Sequence, residues 1–228
     1  MRIKLISFSK PSREIISEGL YDVQELIAYC ARVSNPANQF NTETSTKLIQ
    51  YLIKHQHWSP LEMVSACVEI ETTRDIARQI LRHRSFSFQE FSQRYANPLE
   101  EMDDAFELRE CRLQDQKNRQ NSVELDMNTQ EGRLLAYEWE RAQKRVLVWV
   151  KQEYEWAIKN GIAKEQARAL LPEGLTKSRL YMNGTLRSWI HYIQLRSANG
   201  TQKEHADIAK ACAGVIAEVF PLATQLTQ

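Results

Sequence analysis

Residues 64–95 constrain this chain more than any other stretch. Val64, Ala66, Val68 and Ile70 alternate with Ser65, Cys67, Glu69 and Glu71, the period-two pattern of a half-buried strand. The pattern then changes. Thr72 with Asp75 has capping-box spacing, and Ile76, Ala77, Ile80 and Leu81 form an apolar stripe at helical spacing, so a helix is expected to start here. A strand, a tight turn and a short helix make a rigid base. That base carries residues 82–95, RHRSFSFQEFSQRY, which hold three arginines, one histidine, one glutamate and three serines with three phenylalanines among them. The helix dipole alone explains arginines at a helix C-terminus, and so covers Arg82 and Arg84. It does not explain Glu90, Ser92 and Arg94 following so closely. Guanidinium groups match phosphates and planar imide edges through paired donors. The stretch is therefore expected to hold a small anionic molecule, with the helix end delivering Gln79, Arg82 and His83 together.

The flanking sequence builds a frame for this base. Ile3 to Phe8 is a strand candidate. Val23, Leu26, Ile27 and Cys30 recur at i, i+3, i+4 and i+7, the mark of an amphipathic helix, and Asn35-Pro36 ends it. Leu48, Ile49, Leu52 and Ile53 mark a second helix that stops near His55. Residues 97–131 are rich in charged and amide side chains and read as a surface excursion with some helix and room to move. Residues 134–160 form a helix with Trp139, Val146, Leu147, Trp149, Val150, Tyr154 and Ile158 expected to be buried and Gly161 at C′. Its segment 146–150 is apolar on most sides, which points to deep burial or a subunit interface. In residues 185–196, Leu186, Trp189, Ile190 and Ile193 form the buried stripe, and Arg187, His191, Gln194 and Arg196 lie off it. Thr201 with Glu204 has capping-box spacing for a last helix, whose stripe is Ile208, Cys212, Val215, Ile216 and Val219. The expected fold is α/β of the α+β type: one domain over residues 1–228 with a small, mostly antiparallel sheet flanked by helices.

Composition excludes several functions. Lys+Arg is 30 and Asp+Glu 29, a net charge of +1, which argues against a general nucleic-acid or membrane-surface binder. A nucleic-acid-binding protein using the basic and aromatic groups of residues 82–95 is the alternative reading; a protein that kept the fold and lost its chemistry is a third. No apolar run approaches the roughly 18 residues of a membrane span, and polar residues recur through the N-terminus, unlike a signal peptide. Cys30, Cys67, Cys111 and Cys212 lack CxxC spacing and read as reduced thiols of a cytoplasmic protein. His55 and His57 lack a third ligand nearby, so no metal is expected.

RHR, a spacer and then S-x-R-Y resembles the signature of flavin-dependent thymidylate synthases, a long and specific motif. Separated blocks over roughly residues 20 to 205 agree with it. His57-Trp58-Ser59-Pro60-Leu61-Glu62 is similar to the family's H-x-[ST]-P-x-E element, although Met63 stands where a histidine is frequent. Ala167 to Pro172, ARALLP, resembles A-R-x-x-L-P. Arg187-Ser188 and Leu195-Arg196 match its N-x-R-S and L-R elements; Asn183 is displaced by one residue and its flavin contact stays open. His191 stands where asparagine is common, and both can donate a hydrogen bond. Gln202 and Glu204 resemble a family pair, but capping already accounts for them.

The resemblance implies reductive methylation of dUMP to dTMP, with 5,10-methylenetetrahydrofolate as carbon donor, FAD as hydride carrier and NADPH as reductant, in a homotetramer with FAD at subunit interfaces. It implies dUMP contacts at Gln79, Arg82, Glu90, Phe91, Ser92, Arg94, Arg168 and Arg196. FAD contacts are implied at Ser59, Arg82, His83, Arg84, Glu90, Arg187 and His191, with His57 beside flavin or folate. Arg196 is the implied catalytic residue, stabilising the anionic uracil ring. No cysteine is placed to be a nucleophile: Cys30 and Cys212 fall on apolar stripes, Cys67 in a strand, and Cys111 in the excursion.

Overall fold

Four strands form one antiparallel sheet in the order β1-β2-β6-β3, where β1 is Arg2–Phe8, β2 Ser65–Thr73, β3 Ser87–Glu90 and β6 Lys177–Thr185. The computed structural model describes residues 1–227. The register explains the alternation in the sequence. Ala66, Val68 and Ile70 stand opposite Gly184, Met182 and Leu180, and Ile3 and Leu5 stand opposite Ile70 and Val68 on the other edge. These residues make one apolar face. Against it lie α2 (Val23–Ala31), α3 (Ser45–Lys54), α4 (Arg74–Ile80), α8 (Leu186–Ser197) and α9 (Lys203–Ile216), which supply Ile27, Ile49, Ile76, Trp189, Ile193, Ile208 and Cys212 to the same core. Helix α1 (Arg13–Ser17) contributes no buried residue. The expected α/β fold with a small antiparallel sheet is what the chain forms.

The opposite face of the sheet departs from a half-buried strand. Glu69, Glu71 and Thr73 are buried as well, because β2 runs down the middle of the sheet and long side chains of β6 cover its polar row. Arg179 and Lys177 reach Glu71 at 3.2 and 3.7 Å.

Both expected capping boxes are absent. Helix α4 starts at Arg74 with Thr73 as N-cap and no side-chain cap bond. Its first donors are taken by the backbone, with Arg74 N–H donating to Thr176 O and Asp75 N–H to Glu173 O. This satisfies the orphan groups of a helix start without a carboxylate, and Asp75 is free to pair with Arg109 at 2.6 Å. In α9 the N-cap is Gln202, again without a side-chain cap; Glu204 pairs with Arg109 and Arg112 instead.

The excursion has structure of its own. It contains α5 (Pro98–Glu101) and a hairpin of β4 (Arg112–Gln114) and β5 (Ser122–Glu124), and Phe106 bridges to Thr176. Helix α6 (Gln130–Lys159) begins at a Thr129 cap and runs for 30 residues; Gly161 follows with φ of 76°, the left-handed C′ position. Tyr154 and Ala157 of α6 join Ala167 and Leu171 in a second small core, with Val150 and Ile158 partly buried against it. The expected burial of Trp139, Val146 and Trp149 is wrong for the single chain: they are 42%, 49% and 66% exposed. The helix touches the rest of the fold along one narrow stripe, and among the described residues none covers these exposed side chains.

Candidate functional site

Helix α4 and the turn after it place the motif. Burial of Ile76, Ala77 and Ile80 orients the helix, so its other side presents Arg78 and Gln79, with Arg82 and His83 just past the end. The chain then turns, His83 N–H donating to Ile80 O and Phe86 N–H to His83 O. Phe86 is buried edge-on to Trp189, with ring centroids 4.9 Å apart. A Cβ on Gly184 would lie 2.4 Å from the Phe86 ring, so glycine is required there for the ring to seat. Residues 87–90 become strand β3, which the sequence did not signal: Phe88 faces the core opposite Met182, and Ser87 and Gln89 face out.

The main cluster forms where α4, α8 and α9 meet. Arg196 Nε donates to His83 Nε2 at 3.0 Å. An acceptor nitrogen is an unprotonated one, so His83 is neutral with its proton on Nδ1. Burial and then the Arg196 charge push the His83 pKa down to about 4. His205 lies behind, fully buried, with Nδ1 at 3.2 Å from Gln79 Oε1 and Nε2 at 3.2 Å from the Tyr192 hydroxyl. Its pKa is pushed to about 3 by burial, then by Arg196 and His83. Gln79 Nε2 donates to Gln202 Oε1 at 2.8 Å, and Gln202 Nε2 donates to Glu204 at 3.0 Å. Among the described residues no carboxylate lies within ion-pair distance of Arg196.

Three smaller groups hold the other expected residues. Glu90 accepts from Arg78 at 3.0 Å and from Ser178 at 2.8 Å, with Arg74 at 3.9 Å. Arg94 reaches Glu165 at 3.4 Å, and Arg168 Nε donates to the Glu165 carbonyl at 3.2 Å, so the S-x-R-Y and A-R-x-x-L-P elements meet at α7 (Lys164–Ala167). Phe91 N–H donates to Arg179 O at 2.8 Å, which positions Ser92 and the turn after it. Arg187 pairs with Glu62 at 3.1 Å, and the Trp58 and His191 rings meet edge-on at 4.5 Å. The His57–Glu62 element therefore lies against α8. Burial, then Arg187, lowers the His191 pKa. Ser59 borders an open cleft of about 570 Å³ with Tyr29, Cys30 and Pro60. His57, Arg82 and Arg84 are exposed.

Sequence reasoning missed Tyr192, His205, Arg78 and Arg109. His205 had a signal, since it falls on the apolar stripe with Ile208, Ala209 and Cys212, where an imidazole needs an internal partner. Arg109 had none, because its partners come from four separate parts of the chain.

A model of the family described as thymidylate synthase complementing protein matches residues 16–222. A flavin-dependent thymidylate synthase of Synechocystis is 49% identical over 224 residues, covering 97% of this chain and 96% of that one. The chain belongs to the flavin-dependent thymidylate synthase family. A second member, a probable flavin-dependent thymidylate synthase of Paramecium bursaria Chlorella virus 1, is 47% identical over 221 residues, covering 97% of this chain and 96% of that one. A solved structure of a UMP/dUMP methylase, PolB from Streptomyces cacaoi bound with 5-Br UMP, superposes with a TM-score of 0.76 at 24% identity, covering 99% of this chain and 92% of that one. It shares the fold of this flavin-dependent thymidylate synthase family member.

Proposed function

We propose that this chain catalyses the reductive methylation of dUMP to dTMP, with 5,10-methylenetetrahydrofolate as carbon donor, FAD as resident cofactor and NADPH as reductant. One observation carries the reading. Arg196 is a guanidinium held by a neutral imidazole, with no carboxylate within ion-pair distance among the described residues, so its charge is available to an anion.

The donor set fits FAD. Arg187 Nε is a buried donor without a partner, and exposed Arg82 and Arg84 stand near His83 on the same turn. A diphosphate and a ring with several carbonyls would satisfy these groups. Ser59, Arg82, His83, Arg84, Glu90, Arg187 and His191 would hold the cofactor, with His57 at its edge. FAD, when bound, supplies hydride transfer.

The protein's own part is binding and polarisation. Gln79, Arg82, Ser92, Arg94 and Arg168 would hold the dianionic phosphate and the nucleoside, with Glu90 and Phe91 shaping the same surface. Arg196 would face the uracil imide and stabilise negative charge there, which makes carbon 5 nucleophilic. Neutral His83 holds Arg196 without cancelling its charge. These groups lie in separate patches on one chain. The missing walls are supplied when copies assemble, so a homotetramer is part of the proposal.

The test separates binding from activation. Arg196→Ala should slow turnover at least a hundredfold and suppress proton exchange at carbon 5 of uracil at saturating dUMP, while FAD absorbance is retained. Normal turnover by this variant would remove Arg196 from the chemistry. A wild-type protein that stays colourless after incubation with FAD and dUMP would sink the flavin reading.

A further inference from the structure

The hydrogen-bond chain behind Gln79 has a direction, and its far end sets it. A carboxylate can only accept. Burial raises the Glu204 carboxyl, but its own backbone N–H, Arg109 and Arg112 outweigh that and hold it below the usual carboxylate range. At 3.0 Å from Glu204, Gln202 must therefore present its NH₂ group. Its oxygen then accepts from Gln79 Nε2 at 2.8 Å. That leaves Gln79 Oε1 as the acceptor 3.2 Å from His205 Nδ1, so the ring proton sits on Nδ1. His205 Nε2 accepts from the Tyr192 hydroxyl at 3.2 Å. Flipping either amide would set donor against donor or acceptor against acceptor somewhere along the chain.

We propose that His205 is a positioning residue for substrate: by donating from Nδ1 to Gln79 Oε1, it holds the Gln79 amide in one orientation. One Nε2 hydrogen and one Oε1 lone pair of Gln79 then remain for dUMP. The inference rests on the reading of Gln79 as a dUMP contact. It gives a role to a buried histidine that would otherwise be core filler between Tyr192 and His83, whose rings lie 5.7 and 6.2 Å away. It also connects the excursion to the site, since Arg109 and Arg112 orient the carboxylate that sets the chain's polarity.

The experiment uses the full-length, FAD-loaded protein and reads dUMP dissociation, KM and kcat for His205→Leu, His205→Asn, Gln79→Ala and the His205→Leu/Gln79→Ala double variant. His205→Leu should weaken dUMP at least tenfold with kcat changed less than threefold. Asparagine can donate from near the Nδ1 position, so His205→Asn should stay within threefold of wild type. In the Gln79→Ala background, His205→Leu should add less than twofold, because coupled residues are not additive. Equal losses in both backgrounds, or an unchanged dUMP affinity in His205→Leu, would overturn the role. If wild type binds dUMP and Gln79→Ala binds it equally well, this inference fails and the dUMP reading stands. A wild type that binds no dUMP removes both. Ring ¹⁵N spectra of the wild type decide the tautomer even if the leucine variant does not fold: protonation at Nδ1 is expected, and protonation at Nε2 overturns the proposal.

Discussion

A buried or half-buried guanidinium usually meets a carboxylate; Arg196 meets His83 instead. The difference matters because a carboxylate would neutralise the charge that a bound anion needs, while an imidazole aims it and leaves it intact. The cysteines show the complementary case. A nucleophilic thiol needs a lowered pKa and an electropositive, partly open setting. Burial raises the pKa of Cys30 and Cys67, and Cys212 is fully buried with its thiol pushed up further. Cys111 lines a cleft of about 500 Å³ in the excursion with Leu108, Leu125 and Trp139, apart from the Arg196 cluster. Replacing Cys111 with Ser, and Cys30, Cys67 and Cys212 with Ala, one at a time, should leave dTMP formation within about tenfold once lost stability is allowed for. Steady-state assays on the folded, FAD-loaded variants check this. One variant that retains FAD and loses all turnover would establish a thiol mechanism.

At the scale of elements, Arg109 joins parts of the fold that are distant in sequence. Its guanidinium bonds Asp75 of α4, Glu204 of α9 and the Gly174 carbonyl, and its backbone bonds Gln143 and Trp139 of α6. The side chain is 14% exposed, so its removal leaves Asp75 without its ion-pair partner and Glu204 with Arg112 alone, both in a partly desolvated place. Arg109→Ala should cost about 3 kcal/mol of stability, the size found for breaking a buried pair. Hydrogen exchange should show amides of residues 105–128 opening well before those of β2 and β6. Uniform loss of protection across the sheet would mean that the excursion and sheet unfold together.

At the scale of the whole molecule, two features point beyond one chain and one pH. Val148, Trp149 and Trp156 of α6 are each more than half exposed, a patch that a soluble chain ordinarily covers. Light scattering should give four copies per particle, and Trp149→Glu should shift the mass downward; a wild-type monomer that turns over dUMP would refute the shared site. The pH dependence comes from the two neutral histidines. The unfolded chain takes up protons near pH 6.5, while His83 and His205 resist until about 4 and 3. Below pH 6.5 the unfolded state thus binds more protons, and stability falls as pH drops through that window. Thermal midpoints should decline from pH 6.5 to 4, and less steeply in His205→Asn than in wild type.

Much of the site was legible in the chain because its signals are local. Three cues need only neighbours in sequence: alternation in β2, helical spacing in α4 and α8, and the arginine-rich run after α4. From them Gln79 and His83 were expected together at a site, while Arg196 was expected there from the family resemblance; the structure brings all three into one cluster. What stayed hidden depends on groups far apart. A capping box was expected at Thr72–Asp75 and another at Thr201–Glu204, because the spacing is right; the backbone of residues 173–176 and the guanidinium of Arg109 outcompeted both. Strand β3 was invisible because four residues pair only when β6 lies beside them. The sequence by itself determined which side chains can bind an anion and which faces are apolar. Only the tertiary structure decided which partner each polar group takes, because a hydrogen bond between residues 79 and 205 is settled by where the helices pack, not by anything near either residue in the chain.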